Sequence, residues 1–290
     1  MNRPLESEKT EQYERVDFLS TYGVIPYSIW ETENAKFSNP ILKELKERVG
    51  ESTRENTLKS FGGAGEKTAY TATTSYFNPN LCMIVYSSYC PKNGKIFDPF
   101  ASVVRPYMAK SMGYNYVGCE VRAEESKKIQ SILDSSFLFG EECEVEVHNK
   151  DCREFQTDEK FDLIFTCPPY WTLETYSNES GDMSNIVDYN SFLSEMKKVY
   201  SKCLSLMHND SYCCFVVADF RDYTDGRKLI NRLIPFVSDM IRCGEDAGLV
   251  LYDKVILKKP MGTAPSRLKL WNNRKTVRIH EELLVFRSHL

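Results

Sequence analysis

Residues 161–170 read Phe161-Asp162-Leu163-Ile164-Phe165-Thr166-Cys167-Pro168-Pro169-Tyr170. A short apolar run that stops at two prolines reads as a buried strand. Neither proline can donate to a sheet ladder, and together they fix a rigid, extended turn. The carbonyls of that turn have no helix to satisfy and are free to face a site. Tyr170 and Trp171 follow at once. A rigid, acceptor-lined turn with an aromatic face suits a flat base bearing an amino group. A structural proline turn with a packing aromatic would be written in the same letters.

Working outward, the flanks alternate between helix and strand. Upstream, residues 79–90 read as a helix, Lys95-Ile96-Phe97 as a strand ending at Asp98, and 103–112 as a helix. Tyr116 to Cys119 is a strand ending at Glu120, 123–137 a polar-faced helix, and 144–148 a strand ending near Asp151. Downstream come helix 188–207, the apolar strand 212–218, helix 228–247, strand 249–257 and strand 281–286. Such alternation predicts an α/β fold with a mainly parallel sheet covered by helices on both faces. Ligands bind such sheets at the carboxyl ends of the strands. Asp98, Glu120, Asp151 and Cys167 all fall at predicted strand ends. Glu120 follows Asp98 by 22 positions (120 − 98), a spacing that suits hydrogen bonding to a ribose diol.

Residues 1–73 are charged and turn-rich with little strand character, and the domain proper is expected over 74–290. One helix is predicted in the first part: Ser38-Asn39-Pro40 supplies a cap and an N1 proline, after which Ile41, Leu42, Leu45 and Val49 recur at helical spacing. Phe61-Gly62-Gly63-Ala64-Gly65 reads as a loop.

The chain has 290 residues, 42% hydrophobic, enough for one sizeable core. Its net charge of −4 does not describe a general nucleic-acid coat protein. The ten cysteines form no CxxC pair and no cluster with histidine at zinc spacing, so no metal site is expected. The opening residues contain no apolar segment of the signal-peptide kind. No run reaches the roughly 18 apolar residues of a membrane span. A reduced, cytoplasmic protein is the expectation.

The motifs together resemble the S-adenosylmethionine-dependent DNA amino-methyltransferases, which make N6-methyladenine or N4-methylcytosine. The compact versions common in phage genomes are particularly similar, a setting in which restriction-modification is one role. The resemblance rests on Thr74 to Pro79, Phe97-Asp98-Pro99-Phe100, Gly113 to Glu120, Phe161 to Tyr170, Val216 to Asp222 and His280 to Phe286. It implies a Rossmann-like methyltransferase fold with a seven-stranded sheet and S-adenosylmethionine as cofactor. By position, it implies that Ser75, Phe77, Asn78 and Pro79 contact the methionine portion of the cofactor. Asp98, Pro99 and Phe100 would open the cofactor loop, Glu120 would hold the ribose, and Asp151 would approach the adenine. Cys167, Pro168, Pro169 and Tyr170 would be the catalytic motif, accepting hydrogen bonds from the target amino group while the tyrosine stacks on an extruded base.

Two departures stand out. Cys167 occupies a position where the family has Asp, Asn or Ser; a thiol accepts poorly, so the Pro168 carbonyl must do more or Cys167 must act as thiolate. The loop after Phe100 reads Ala101-Ser102-Val103-Val104-Arg105-Pro106, where the family is usually glycine-rich. A cysteine nucleophile of the C5-cytosine type would follow a proline, and here the order is reversed.

Residues 254–278 hold Lys254, Lys258, Lys259, Arg267, Lys269, Arg274, Lys275 and Arg278, with no acid after Lys254. With Trp171 and Trp271, residues 267–278 are expected to form a nucleic-acid contact, DNA first and RNA second. The polar segment from Trp171 to Tyr189 has the character of a loop closing over an extruded nucleotide. Two other readings stand beside this one: methylation of RNA or of a protein glutamine amide, and a non-catalytic nucleic-acid-binding relative that keeps the fold.

Overall fold

The computed structural model describes residues 27–32, 40–49, 77–135, 143–171, 177–221, 232–259, 274, 276 and 278–289. Their centre is an eight-stranded sheet. The strands are β1 (Ile29–Trp30), β2 (Lys95–Asp98), β3 (Asn115–Cys119), β4 (Val145–His148), β5 (Phe161–Thr166), β6 (Met207–Val217), β9 (Val250–Lys258) and β10 (His280–Arg287), in the order β1-β9-β10-β6-β5-β2-β3-β4. β7 (Phe220–Arg221) and β8 (Leu233–Ile234) pair separately. Only β10 runs against its neighbours in the large sheet.

This is the mainly parallel sheet of an α/β fold expected from the sequence, with one strand more than the expected seven. The extra strand comes from the first 73 residues, where little strand character was legible. Ile29 and Trp30 pair with Ile256 and Leu257 in parallel. Two residues carry no period, so the pairing is visible only in the tertiary structure.

Helices α1 (Pro40–Val49), α2 (Pro79–Tyr89), α3 (Val104–Ser111), α4 (Ala123–Leu133), α5 (Tyr189–Leu206) and α6 (Phe236–Asp246) supply the covering layers. Successive strand residues face opposite layers. Phe97, Val117, Ile164 and Cys213 meet Phe192, Met196, Tyr200 and Met240 from α5 and α6. Ile96, Tyr116, Leu163 and Cys214 meet Leu81, Ile84, Tyr107 and Met108 from α2 and α3, with Trp30 and Leu45 in the same cluster.

One helix differs from expectation. The sequence predicts 228–247, but Leu233–Ile234 is a strand and the helix starts at Phe236. Pro235 lies at its N-cap position, since a proline inside the helix would remove a hydrogen bond and clash with the preceding turn. Among the described residues no helix is long and apolar enough to cross a membrane.

β2 pairs with β3 on one side and β5 on the other, so the strand order reverses between β2 and β5. The carboxyl ends at this switch point carry Asp98, Cys119-Glu120 and Thr166-Cys167.

Candidate active site

A cleft open to solvent lies across these strand ends. Pro99, Phe100, Glu120, Asp151, Cys167 and Pro169 all line it, with Phe77 from the segment before α2. The structure therefore brings most of the sequence-predicted site to one place.

Asn78, Pro79, Asp98, Pro168 and Tyr170 are not part of the lining, and the position of Asp98 is informative. Asp98 is completely buried. Its Oδ1 accepts from Thr166 Oγ1 (2.6 Å) and from the Phe100 backbone N–H (3.0 Å). Its Oδ2 accepts from Tyr116 Oη (2.7 Å) and Arg105 Nε (2.5 Å). Four bonds saturate a carboxylate. Asp98 thus holds β3, β5, the loop after β2 and α3 together from behind the cleft.

Two other expected ligand residues are also structural. Asn78 caps α2 through Asn80 N–H and donates to Thr32 Oγ1 (2.9 Å), and Pro79 is the first helical residue. Phe77 does reach the cleft, packed edge-on against Phe165. Ser75 lies outside the described residues.

The acids at the other end are tethered. Glu120 Oε1 accepts from Arg122 N–H (2.9 Å) and Nε (3.0 Å), and Oε2 accepts from Arg122 Nη2 (2.9 Å). Burial raises the Glu120 pKa, against the opposing pull of Arg122. Asp151 caps the short turn Cys152–Glu154 through Arg153 N–H and grips the Arg153 guanidinium, which also bonds Glu195. Oε2 of Glu120 takes only one of these bonds and keeps room for another donor.

The glycine-poor loop finds its space from below. Ala101 N–H donates to Cys119 O at 2.7 Å. A Cβ on Gly118 would sit 2.8 Å from Ala101 Cβ. The missing side chain that lets the loop settle is on β3 rather than in the loop itself.

Cys167 is half-buried at the cleft, and burial pushes its thiol up to about 12, with Glu281 adding to the shift. A thiol raised in this way favours the protonated form at physiological pH, against the thiolate role. Pro168 and Pro169 are buried. The Tyr170 ring stacks on Phe220 (centroids 6.1 Å, 19°) and leans on Phe236 (5.3 Å).

Trp171, expected at the nucleic-acid face, is packed away instead. It is 7% exposed, its Nε1 donates to Ile186 O at 2.8 Å, and its ring meets Tyr189. Both polar and apolar needs of the indole are met within the fold, so it offers no face to a base.

Part of the segment expected to close over the site, residues 177–185, forms a wall of the cleft. Gly181, Asp182 and Met183 line it. Asp182 accepts from Ser177 Oγ, Ser184 N–H and Ser184 Oγ, while Glu179 accepts from Ala123 N–H at the start of α4. A Cβ on Gly181 would lie 2.8 Å from Val121 Cγ2 and 3.3 Å from Asp151 Oδ2. The segment is a strap fastened across the ends of β3 and β4. Residues 172–176 lie outside the described residues.

Arg105, also missed, lines the cleft while almost fully buried. The signal was available: a charged residue within Val103-Val104-Arg105-Pro106-Tyr107-Met108 is headed for the core and needs a partner there.

The basic segment is more neutralised than its composition implied. Lys254 pairs with Glu282, Lys258 with Glu31, Lys259 with Glu281, and Arg278 with Asp219 (3.0 Å). Neighbouring strands bring most of these acids in, which a linear window cannot reveal. Arg274 is exposed; Arg267, Lys269, Trp271 and Lys275 lie outside the described residues. Among the described residues no group of three or more His, Cys, Asp or Glu is arranged to hold a metal ion.

No protein-family model matches the chain, and no curated protein matches it. Solved structures resemble it in fold. A SAM-dependent methyltransferase from Methanosarcina mazei has a TM-score of 0.47 at 12% identity, covering 71% of this chain and 97% of its own. TrmN from Thermus thermophilus has a TM-score of 0.47 at 10% identity, with 75% and 51% covered. A protein described as a putative DNA modification methylase, also from Thermus thermophilus and complexed with S-adenosyl-L-methionine, has a TM-score of 0.33 at 21% identity, with 48% and 49% covered. At these values the activity has to be argued from the site's own residues.

Proposed function

We propose that this chain is an S-adenosylmethionine-dependent methyltransferase acting on an exocyclic amino group of adenine (N6) or cytosine (N4) in DNA. One observation carries the reading. Pro99 and Phe100, Glu120, Asp151, and Cys167 and Pro169 of the double-proline turn, from four different strand ends, line one cleft at the switch point of a mainly parallel sheet.

The residues fit the cofactor. Glu120 Oε2 retains acceptor capacity for a ribose hydroxyl. Cys119, Val121, Cys152 and Met183 give an apolar slot between Glu120 and Asp151, suited to a purine. When bound, the cofactor supplies an electrophilic methyl group. The chain's own part is positioning and electrostatics. The Pro168 carbonyl accepts from the target amino group, turning the nitrogen lone pair out of the ring. The rigid double proline holds that acceptor still. Tyr170, backed by Phe220 and Phe236, stacks on the extruded base. Cys167, as a neutral thiol, fills space beside the acceptor rather than acting as a base.

Arg267, Lys269, Trp271, Arg274, Lys275 and Arg278 are proposed to meet the nucleic-acid backbone, with Arg278 the least available because Asp219 holds it. Incubation with methyl-labelled S-adenosylmethionine and DNA, RNA or protein, followed by mass spectrometry of the digested products, tests the reading. Labelled N6-methyladenine or N4-methylcytosine in DNA is the expected result. Label only in RNA or in a glutamine amide would reassign the substrate, and cofactor binding without transfer to any of them would make the chain a non-catalytic relative.

A further inference from the structure

Arg105 presents an unusual combination of burial, charge and unspent hydrogen-bonding capacity. Its side chain is 3% exposed, yet it lines the cleft. A guanidinium has five N–H donors. Nε is used on Asp98 and Nη2 on the Phe100 carbonyl. Nη1 has no hydrogen-bond partner among the described residues. Burial works against the charge, but Asp98 alongside outweighs it and raises the pKa, so the residue is a cation at any working pH. The guanidinium carbon lies 4.8 Å from the centre of the Phe77 ring, which fixes the plane of the fork.

Neutralising Asp98 does not explain this geometry. Asp98 already has three other donors, and a single bond from Nε completes it. A buried cation with donors left over, aimed into a cleft, calls for an acceptor that arrives with a ligand.

The cleft is chemically polarised. Glu120 and Asp151, acceptors, stand at one end with Cys152 and Met183. Arg105 stands at the other with Phe77 and Cys167. No side chain of its own caps α3, which starts one residue before Arg105, so the helix start adds partial positive charge there. A ligand matching this layout carries hydroxyl and amine donors at one end and an anionic group at the other.

We infer that Arg105 binds the α-carboxylate of the cofactor's amino-acid tail, using the guanidinium edge that Asp98 and Phe100 leave free. This assignment rests on the cofactor reading above and deepens it. Asn78 and Pro79, expected at the methionine end, serve as helix cap and first helical residue, whereas Arg105 and Phe77 line the cleft. Asp98 is then a positioning residue, since its grip on Nε sets the direction of the rest of the fork.

The test compares two ligands that differ only in the carboxylate. Isothermal titration of the full chain with S-adenosylmethionine and with decarboxylated S-adenosylmethionine should show the second binding about 10–100-fold more weakly, the range for charge-assisted hydrogen bonds. Arg105→Met alone strands Asp98 in the core, so the variant to use is the double change Asp98→Asn with Arg105→Met, which removes both charges together. In that protein the two ligands should bind within about threefold of each other. Arg105→Lys, which keeps charge but loses the fork, should fall between. Equal binding of both ligands by the wild type overturns the assignment while leaving the cofactor reading intact. So does a double variant that weakens both ligands alike and preserves their ratio, because Arg105 would then be a structural prop. If the wild type binds neither ligand, the cofactor reading fails and this assignment falls with it.

Discussion

Thr166 donates its hydroxyl to Asp98 across 2.6 Å, joining the carboxyl end of β5 to that of β2 where the strand order reverses. The bond is buried at both ends. It places the strand that leads into the proline turn in fixed relation to the loop expected to carry the cofactor. Thr166→Val keeps the shape and removes the donor, leaving one acceptor site of a buried carboxylate unmet. A loss of about 1.5–3 kcal/mol in urea unfolding is expected, together with a lower kcat.

Asp98 and Arg105 are more sensitive still. Removing one partner leaves an uncompensated charge in the core, at a cost of about 3–5 kcal/mol. Asp98→Ala should therefore lower stability by that amount, and the double neutral variant should recover most of it. Denaturant midpoints of the wild type, the two single variants and the double variant check this; a double-variant loss equal to the sum of the single losses would mean that the pair is not coupled.

Cys167 should be dispensable as an ionisable group. With its thiol pushed up to about 12, Cys167→Ser is expected to show the wild-type pH profile between about pH 6.5 and 9, far below that pKa. Alkylation at pH 8 should be slow, because only about one thiol in ten thousand is ionised there. A pH profile that flattens in the variant would restore the thiolate role.

Alkaline stability follows from the same chemistry. Eight of the ten cysteines have thiol pKa values raised by burial. In the unfolded chain these thiols ionise near pH 8.5. The folded state keeps its protons, so above that pH the folded chain binds more protons than the unfolded one, and stability falls as pH rises. Each thiol contributes about 1.4 kcal/mol per pH unit once its unfolded form is ionised and its folded form is not. The stability these groups confer is complete below about pH 8.5 and is lost progressively above it. A thermal midpoint that drops steeply between about pH 8.5 and 10 is expected under reducing conditions.

The strap over the cleft should report on ligand binding. Gly181→Val places new atoms against Val121 and Asp151, and overpacking of that size should weaken S-adenosylmethionine binding by about tenfold. Glu179→Ala removes the cap of α4 and should cost about 1 kcal/mol in stability. Titration and thermal unfolding of both variants separate the two effects.

For nucleic acid, Lys254, Lys258 and Lys259 are paired with acids on or beside adjacent strands. Changing all three to Ala should leave the salt dependence of DNA binding nearly unaltered. Changing Lys269, Arg274 and Lys275 should reduce the slope by about 0.9 per lost phosphate contact. The reverse pattern would move the interface onto β9.

The sequence by itself determined the succession of seven of the eight strands of the large sheet and about where each ends. Apolar runs closed by an acid or a proline carry their own boundary, because a strand's burial pattern and its breakers are local. It also placed Glu120, Asp151 and Cys167 at those ends, and the structure brings them to one cleft. Only the tertiary structure decided what those side chains face. Asp98 looks like a ligand in the sequence and proves to be saturated from within, because Tyr116 and Thr166 reach it from other strands. Trp171 looks available and is enclosed by Ile186 and Tyr189. The lysines of β9 and its end look free until pairing with β1 and β10 supplies their acids. Hydrogen-bond saturation and charge neutralisation depend on groups distant in the chain, and no local period encodes them.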